Sequence, residues 1–142
     1  MLAGWKERLA QKRAKNKFFE ESQRWKNNPL LQDCLQAMRG SCTVVPPEMH
    51  EAVITATNIA LGEDIWTPLE ELSDLPGDFF PEMVYIVWDE AHLPTLKAPW
   101  VLVKEYFWDI EAVSFDTFLV SETMDRILWY DAHGRIRLYS IA

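Results

Sequence analysis

Cysteine, histidine and glycine are all scarce in this 142-residue chain, and each shortage argues against a class of chemistry. Cys34 and Cys42 are the only cysteines, too few for a disulfide framework. Their spacing also lacks the CxxC pairing of a zinc site. Free thiols in a reducing compartment are the expected state, with one short-range disulfide as the lesser alternative. The three histidines, His50, His92 and His133, stand in polar stretches and match no HExxH spacing. No metal ligand set and no cofactor is therefore expected. Five glycines supply no Gly-rich loop ending in GK[ST]. That gap decides the reading of Asp89-Glu90-Ala91-His92, which follows an apolar run as a Walker B acid pair would. Without a phosphate cradle it is a strand running into a charged loop. No G-x-S-x-G is present, and carboxylate pairs such as Asp109 and Glu111 arise freely in an acidic chain. The chain is read as a non-enzyme.

Long apolar runs are missing too. Met83 to Trp88 is a central apolar stretch of six residues, far short of the ~20 a bilayer-spanning helix needs. Lys6, Arg8, Lys12, Arg13, Lys15 and Lys17 break up the first segment, and no secretory h-region follows them. A cytoplasmic protein without membrane contact is expected.

What the chain does have is apolar content, acid and tryptophan. Hydrophobic residues make up 49% and charged residues 25%, enough for one real core and against disorder. The length fits a single domain over 1–142. The formal charge of −8 is unevenly spread. Residues 1–26 hold eight Lys/Arg against three Glu, a net of +5, so the remainder carries −13. A basic arm thus precedes an acidic body. Acidity favours basic partners and repels nucleic acid, although it also serves plain solubility.

Helix signals come first along the chain. Residues 1–28 are rich in helix formers, with Leu2, Trp5, Leu9 and Phe19 on one side, and Asn27-Asn28-Pro29 ends them. A short helix is expected over 30–38, closed by Gly40, and a longer one over 43–61. In the latter, Pro46 and Pro47 suit the first turn, and Met49, Ala52, Val53, Ala56 and Ala60 should face the core. A proline-punctuated acidic stretch follows, where Thr67-Pro68-Leu69-Glu70 reads as a capping box opening one helical turn.

Strands are expected at 83–88, 100–104 and 116–121, with a loop over 91–99 and a short helix over 105–114. A closing hairpin joins 127–130 to 135–141 through Asp131-Ala132-His133-Gly134. In its last strand, Arg135, Arg137 and Tyr139 are expected to face solvent. The fold class is α+β: N-terminal helices on one face of a mostly antiparallel sheet that ends in a β-hairpin.

Seven tryptophans stand out, and most of them are expected to fill the core. Trp66 and Trp108, set among acids, are the two expected at the surface, where tryptophan anchors interfaces. Around them Glu70, Glu71, Asp74, Asp78, Asp89 and Glu90 are the acids expected in loops, fit to pair with Lys and Arg of a partner. The basic arm, with Trp5, Phe18, Phe19 and Trp25 interleaved, supports an alternative: a nucleic-acid-associated or regulatory adaptor. Nucleic acid is the less expected partner, because the body would repel it.

Phe115-Asp116-Thr117-Phe118-Leu119-Val120-Ser121, then Met124-Asp125-Arg126-Ile127-Leu128-Trp129-Tyr130, then His133-Gly134-Arg135-Ile136 resembles the C-terminal end of bacterial toxin-immunity proteins. These are the partners of contact-dependent inhibition toxins and related polymorphic toxins. The resemblance implies a small cytoplasmic antitoxin that binds the C-terminal domain of its cognate toxin. It implies inhibition by covering the toxin's active site or a cofactor-binding surface. Many such toxins are nucleases with basic clefts, which an acidic body would meet with fast, charge-steered association.

Overall fold

Asn28 opens the first described helix by accepting the Leu31 N–H on its Oδ1 at 3.0 Å. The computed structural model describes residues 28–90 and 93–141. The basic helix expected over about 1–28, its apolar stripe and His92 lie outside the described residues.

Helix α1 (Pro29–Ala37) starts with proline at its first position and ends at Met38. The chain then turns through Arg39 and Gly40, at φ 52° and 74°. Strand β1 (Thr43–Val44) comes before α2 (Pro47–Leu61), so the helix starts four residues later than its apolar spacing suggests. The reason is local. Pro46 is extended and caps the helix, while the Val45 N–H goes to the Thr95 carbonyl at 3.0 Å. The core-facing side of α2 is carried by Val53, Thr57 and Ala60, whereas Ala52 is exposed. The buried Thr57 hydroxyl donates to the Val53 carbonyl at 2.8 Å, which satisfies it within the helix.

Thr67–Leu69 is strand β2, not a helical turn. It lies at the edge of the sheet, where Pro68 needs no ladder donor on its outer side. The capping box occurs four residues later. Glu71 and Asp74 exchange side-chain and backbone bonds around a 3-10 turn at Leu72–Asp74. Next come β3 (Met83–Trp88) and β4 (Leu96–Pro99). Helices α3 (Trp100–Glu105) and α4 (Phe107–Glu111) follow. The strand expected over 100–104 is therefore α3, and the pairing strand lies just before it, in the stretch read as a loop. Pro99 ends the strand in extended conformation, and the Trp100 N–H is taken by the Glu82 carbonyl at 2.8 Å. Burial of Trp100 and Val103 then outweighs the β preference of Val101 and Val103.

Strands β5 (Thr117–Ser121), β6 (Arg126–Tyr130) and β7 (Ile136–Ser140) complete a seven-stranded sheet in the order β1-β4-β3-β5-β6-β7-β2. Every pairing is antiparallel. The β6–β7 hairpin turns as expected, with Gly134 at φ 78°, a conformation that suits glycine.

The architecture is α+β, but the helices cover both faces of the sheet, not one. Val84, Ile86 and Trp88 point to a core shared with α1, α3 and α4, through Leu31, Cys34, Val103 and Phe107. Tyr85 and Val87 point the other way, to a smaller core with Val53 and Ala60 of α2. The unbroken apolar run of β3 records this, since a strand buried on both faces has no polar side to alternate with. For the same reason Tyr139, expected to face solvent, is 5% exposed, and Arg137 is half-buried over the Trp129 ring.

Candidate functional site

The pairing register aligns one row of residues across the sheet near one end: Trp88, Thr117, Tyr130, Ile136 and Leu69. One residue beyond this row the strands release Asp89, Asp116, Asp131, Arg135 and Glu70. Four acids thus line up at one edge because five antiparallel strands end together there.

Two of the four are committed to holding the end in shape. Asp131 accepts the His133 and Arg135 N–H groups on Oδ1, at 2.8 and 3.0 Å, and the Arg137 guanidinium on Oδ2 at 3.2 Å. Burial alone would raise its pKa. The donors from Arg135 and His133, with the charge of Arg137, outweigh burial and hold the carboxyl below its usual range. Asp116 accepts the Trp129 indole N–H at 3.2 Å and the Ala132 N–H at 3.1 Å, which ties β5 to the hairpin loop.

Of the other two, Asp89 opens toward the α2 face, and Glu70 rims one of two adjoining grooves that share Tyr130 and Gly134. One, of about 470 Å³, runs between the β2 exit and α4 and is lined by Glu70, Glu71, Lys104, Phe107 and Trp108. Its neighbour, of about 450 Å³, is lined by Leu30, Glu90, Glu111, Phe115 and the hairpin loop. Trp108 is 68% exposed and Phe115 80%, so two large aromatics stand in solvent beside these carboxylates. Burial pushes the Glu111 carboxyl above its usual pKa. Burial, and then the charges of Glu111 and Asp131, push the Tyr130 phenol up. A third groove, of about 500 Å³, lies on the α2 face, where His50, Asp89, Asp116 and Trp129 line it. Glu90 borders this groove and the second alike.

The acids expected in loops are all exposed, but they do not form one cluster. Glu70, Glu71, Asp89 and Glu90 leave the sheet at the end just described. Asp74 is spent on the Glu71 N–H at 3.2 Å. Asp78 lies at the opposite end, where its carbonyl accepts the Arg126 guanidinium at 2.7 Å. Trp66 is half-buried: its indole N–H donates to the Ala60 carbonyl at 2.8 Å, and its ring packs on Trp129 and Tyr139. Trp108 is the exposed member of the pair. Sequence reasoning missed Tyr130, Phe115 and Glu111 as members of this end. Only the strand register and the fold of α4 bring them together. The hairpin lock did leave a signal, since aspartate at the start of a turn is a common acceptor for the N–H two residues on.

Cys34 and Cys42 are free thiols. Burial, with smaller effects from Cys42 and Asp109, pushes Cys34 up to about 12, and burial likewise raises Cys42. Neither is poised as a nucleophile at neutral pH. No group of three potential metal ligands occurs among the described residues, and no described helix is long and apolar enough to cross a membrane.

Residues 57–139, from within α2 through nearly all of β7, match a family model for toxin-immunity proteins. The family is CdiI immunity protein, EcoliA0-like, and the chain belongs to it. The resemblance seen in the last third of the sequence is thereby shown, and the match reaches back across β2, β3 and β4. No curated protein matches the chain.

Proposed function

We propose that this chain neutralises a cognate contact-dependent inhibition toxin by gripping its C-terminal domain directly, through acidic residues at the end of the sheet. The observation that carries the reading is the coincidence of two spans. The family match over 57–139 contains every acid expected to touch the partner. Four of these, Glu70, Glu71, Asp89 and Glu90, emerge together where the strands end. The partner on this reading is a nuclease, because a phosphate-binding cleft is basic and complements a body of charge −13. Opposite charge speeds encounter, and desolvated aromatics slow release. Trp108 is the stronger anchor candidate, and Trp66, half-buried against Trp129 and Tyr139, is the weaker. Asp74 and Asp78 stay within the proposal as peripheral charges. The chain acts in the cytoplasm as one non-enzymatic domain over 1–142, with the basic arm over about 1–28 as an accessory.

The test is co-expression with the C-terminal domain encoded by the open reading frame immediately upstream. Restored growth and a complex that co-purifies are expected. A toxic domain that the chain neither binds nor silences would refute the reading.

A further inference from the structure

The proposed function puts the toxin at the acid-lined end of the sheet but does not choose among the grooves that open there. We propose that the toxin docks a basic surface into the paired grooves on either side of Tyr130, with Trp108 and Phe115 as the apolar anchors. This assignment rests on the immunity reading and goes beyond it by choosing one surface among those the described residues form.

Charge is the first argument. Among the described residues, those lining the two grooves include Glu70, Glu71, Glu90, Glu111 and Asp131 against the single cation Lys104. Of these acids Asp131 is already paired, with Arg137. A partner lysine or arginine entering beside Glu111 meets a carboxylate whose ionised form is disfavoured by burial and has most to gain from a cation. It also relieves the crowding of negative charge around the Tyr130 phenol.

Aromatic exposure is the second argument. Trp108 and Tyr130 meet edge to face with centroids 6.5 Å apart, and Trp108 meets Phe107 in the same way at 6.0 Å. The ring is therefore held in place by its neighbours while most of its surface faces water. A pre-ordered tryptophan loses little side-chain freedom on binding, which favours an anchor role. The competing apolar surface, at Ile59, Leu61 and Ile65 where α2 ends, has exposed aliphatics, and its aromatic neighbour Trp66 is half-buried. The groove on the α2 face has its own aromatics, Trp129 and Phe118, packed inward as a stacked pair.

The experiment is oxidative footprinting of the full chain, alone and in complex with the C-terminal domain encoded immediately upstream. Labelling is read at Trp108 and Phe115 by mass spectrometry. The expected result is strong labelling of both in the free chain at every concentration and loss of labelling in the complex. Trp108→Ala should weaken the complex about tenfold or more, while Ile59→Ala leaves it unchanged.

Other outcomes each overturn the assignment in a recognisable way. Protection that appears in the free chain only as its concentration rises makes a second copy the occupant. Protection in the free chain at all dilutions makes its own first 27 residues the occupant. A complex that forms and silences the toxin, but protects residues elsewhere, refutes the docking surface and leaves the immunity reading standing. Failure to form any complex refutes both.

Discussion

Trp108 and Tyr130 face each other edge to face at the end of the sheet, one ring carried by α4 and the other by the last residue of β6. The contact joins an exposed aromatic to a half-buried one, so it separates two kinds of loss. Trp108→Ala removes a ring that is 68% exposed and should lower folding stability by about 1 kcal/mol or less. Its neighbour Phe107 is 1% exposed, and Phe107→Ala should cost about 3–5 kcal/mol. Urea denaturation separates the two, and toxin binding should fall with Trp108→Ala despite its nearly unchanged midpoint.

Asp131 should make the hairpin sensitive to acid. Its folded pKa lies below the ordinary value of 3.8, so the stability it adds is complete above about pH 4. That stability is lost as pH falls through the lowered folded value. Asp131→Asn should destabilise the neutral protein by about 1–3 kcal/mol, since the Arg137 guanidinium loses its partner. It should also flatten the acid limb of the stability curve below pH 4. Melting temperatures of both proteins between pH 2 and 7 would show this.

Glu111 should impose a pH dependence at a higher pH range, on binding instead of folding. Its pKa is raised, and only the ionised form pairs with a cation. Affinity for the toxin should therefore fall on acidification, starting above the pH at which an ordinary glutamate titrates. Calorimetric titrations at pH 7 and pH 5 should show this loss for the native chain, and a smaller one for Glu111→Gln.

The cysteines should react unequally. Cys34 is fully buried, with its pKa at about 12, whereas Cys42 is half-buried. An aromatic disulfide reagent should titrate Cys42 in the native protein and reach Cys34 only after denaturation. Fast reaction of both thiols would mean that α1 does not pack Cys34 into the core as described.

How much of this was legible beforehand follows from the range of each signal. The hairpin, β3 and α1 were readable because their cues are local: Gly134 in the turn, six apolar residues in a row, a short helical pattern over 30–38 closed by Gly40. Thr67-Pro68-Leu69-Glu70 misled for the opposite reason. Its letters fit a capping box, yet pairing of Thr67 and Leu69 with Leu138 and Ile136 overrides them. Val101 and Val103 misled in the same manner, since β preference yields when a helix buries Trp100 and Val103. For the site, the acids were legible as residues but not as a group. Glu70 and Glu90 lie at the same end of the sheet only through the register of five strands. Trp66 and Trp108 sit in similar acidic contexts, and their different burial depends on contacts with Ala60, Trp129 and Tyr139 far along the chain.

Titration of the purified chain into an activity assay of the C-terminal domain encoded immediately upstream tests the central claim most directly, nuclease activity being the first to assay. The account predicts that inhibition completes at one chain per toxin domain, and that Glu70→Lys with Glu71→Lys shifts the titration to excess. A toxin that stays fully active in a large excess of the native chain would contradict it.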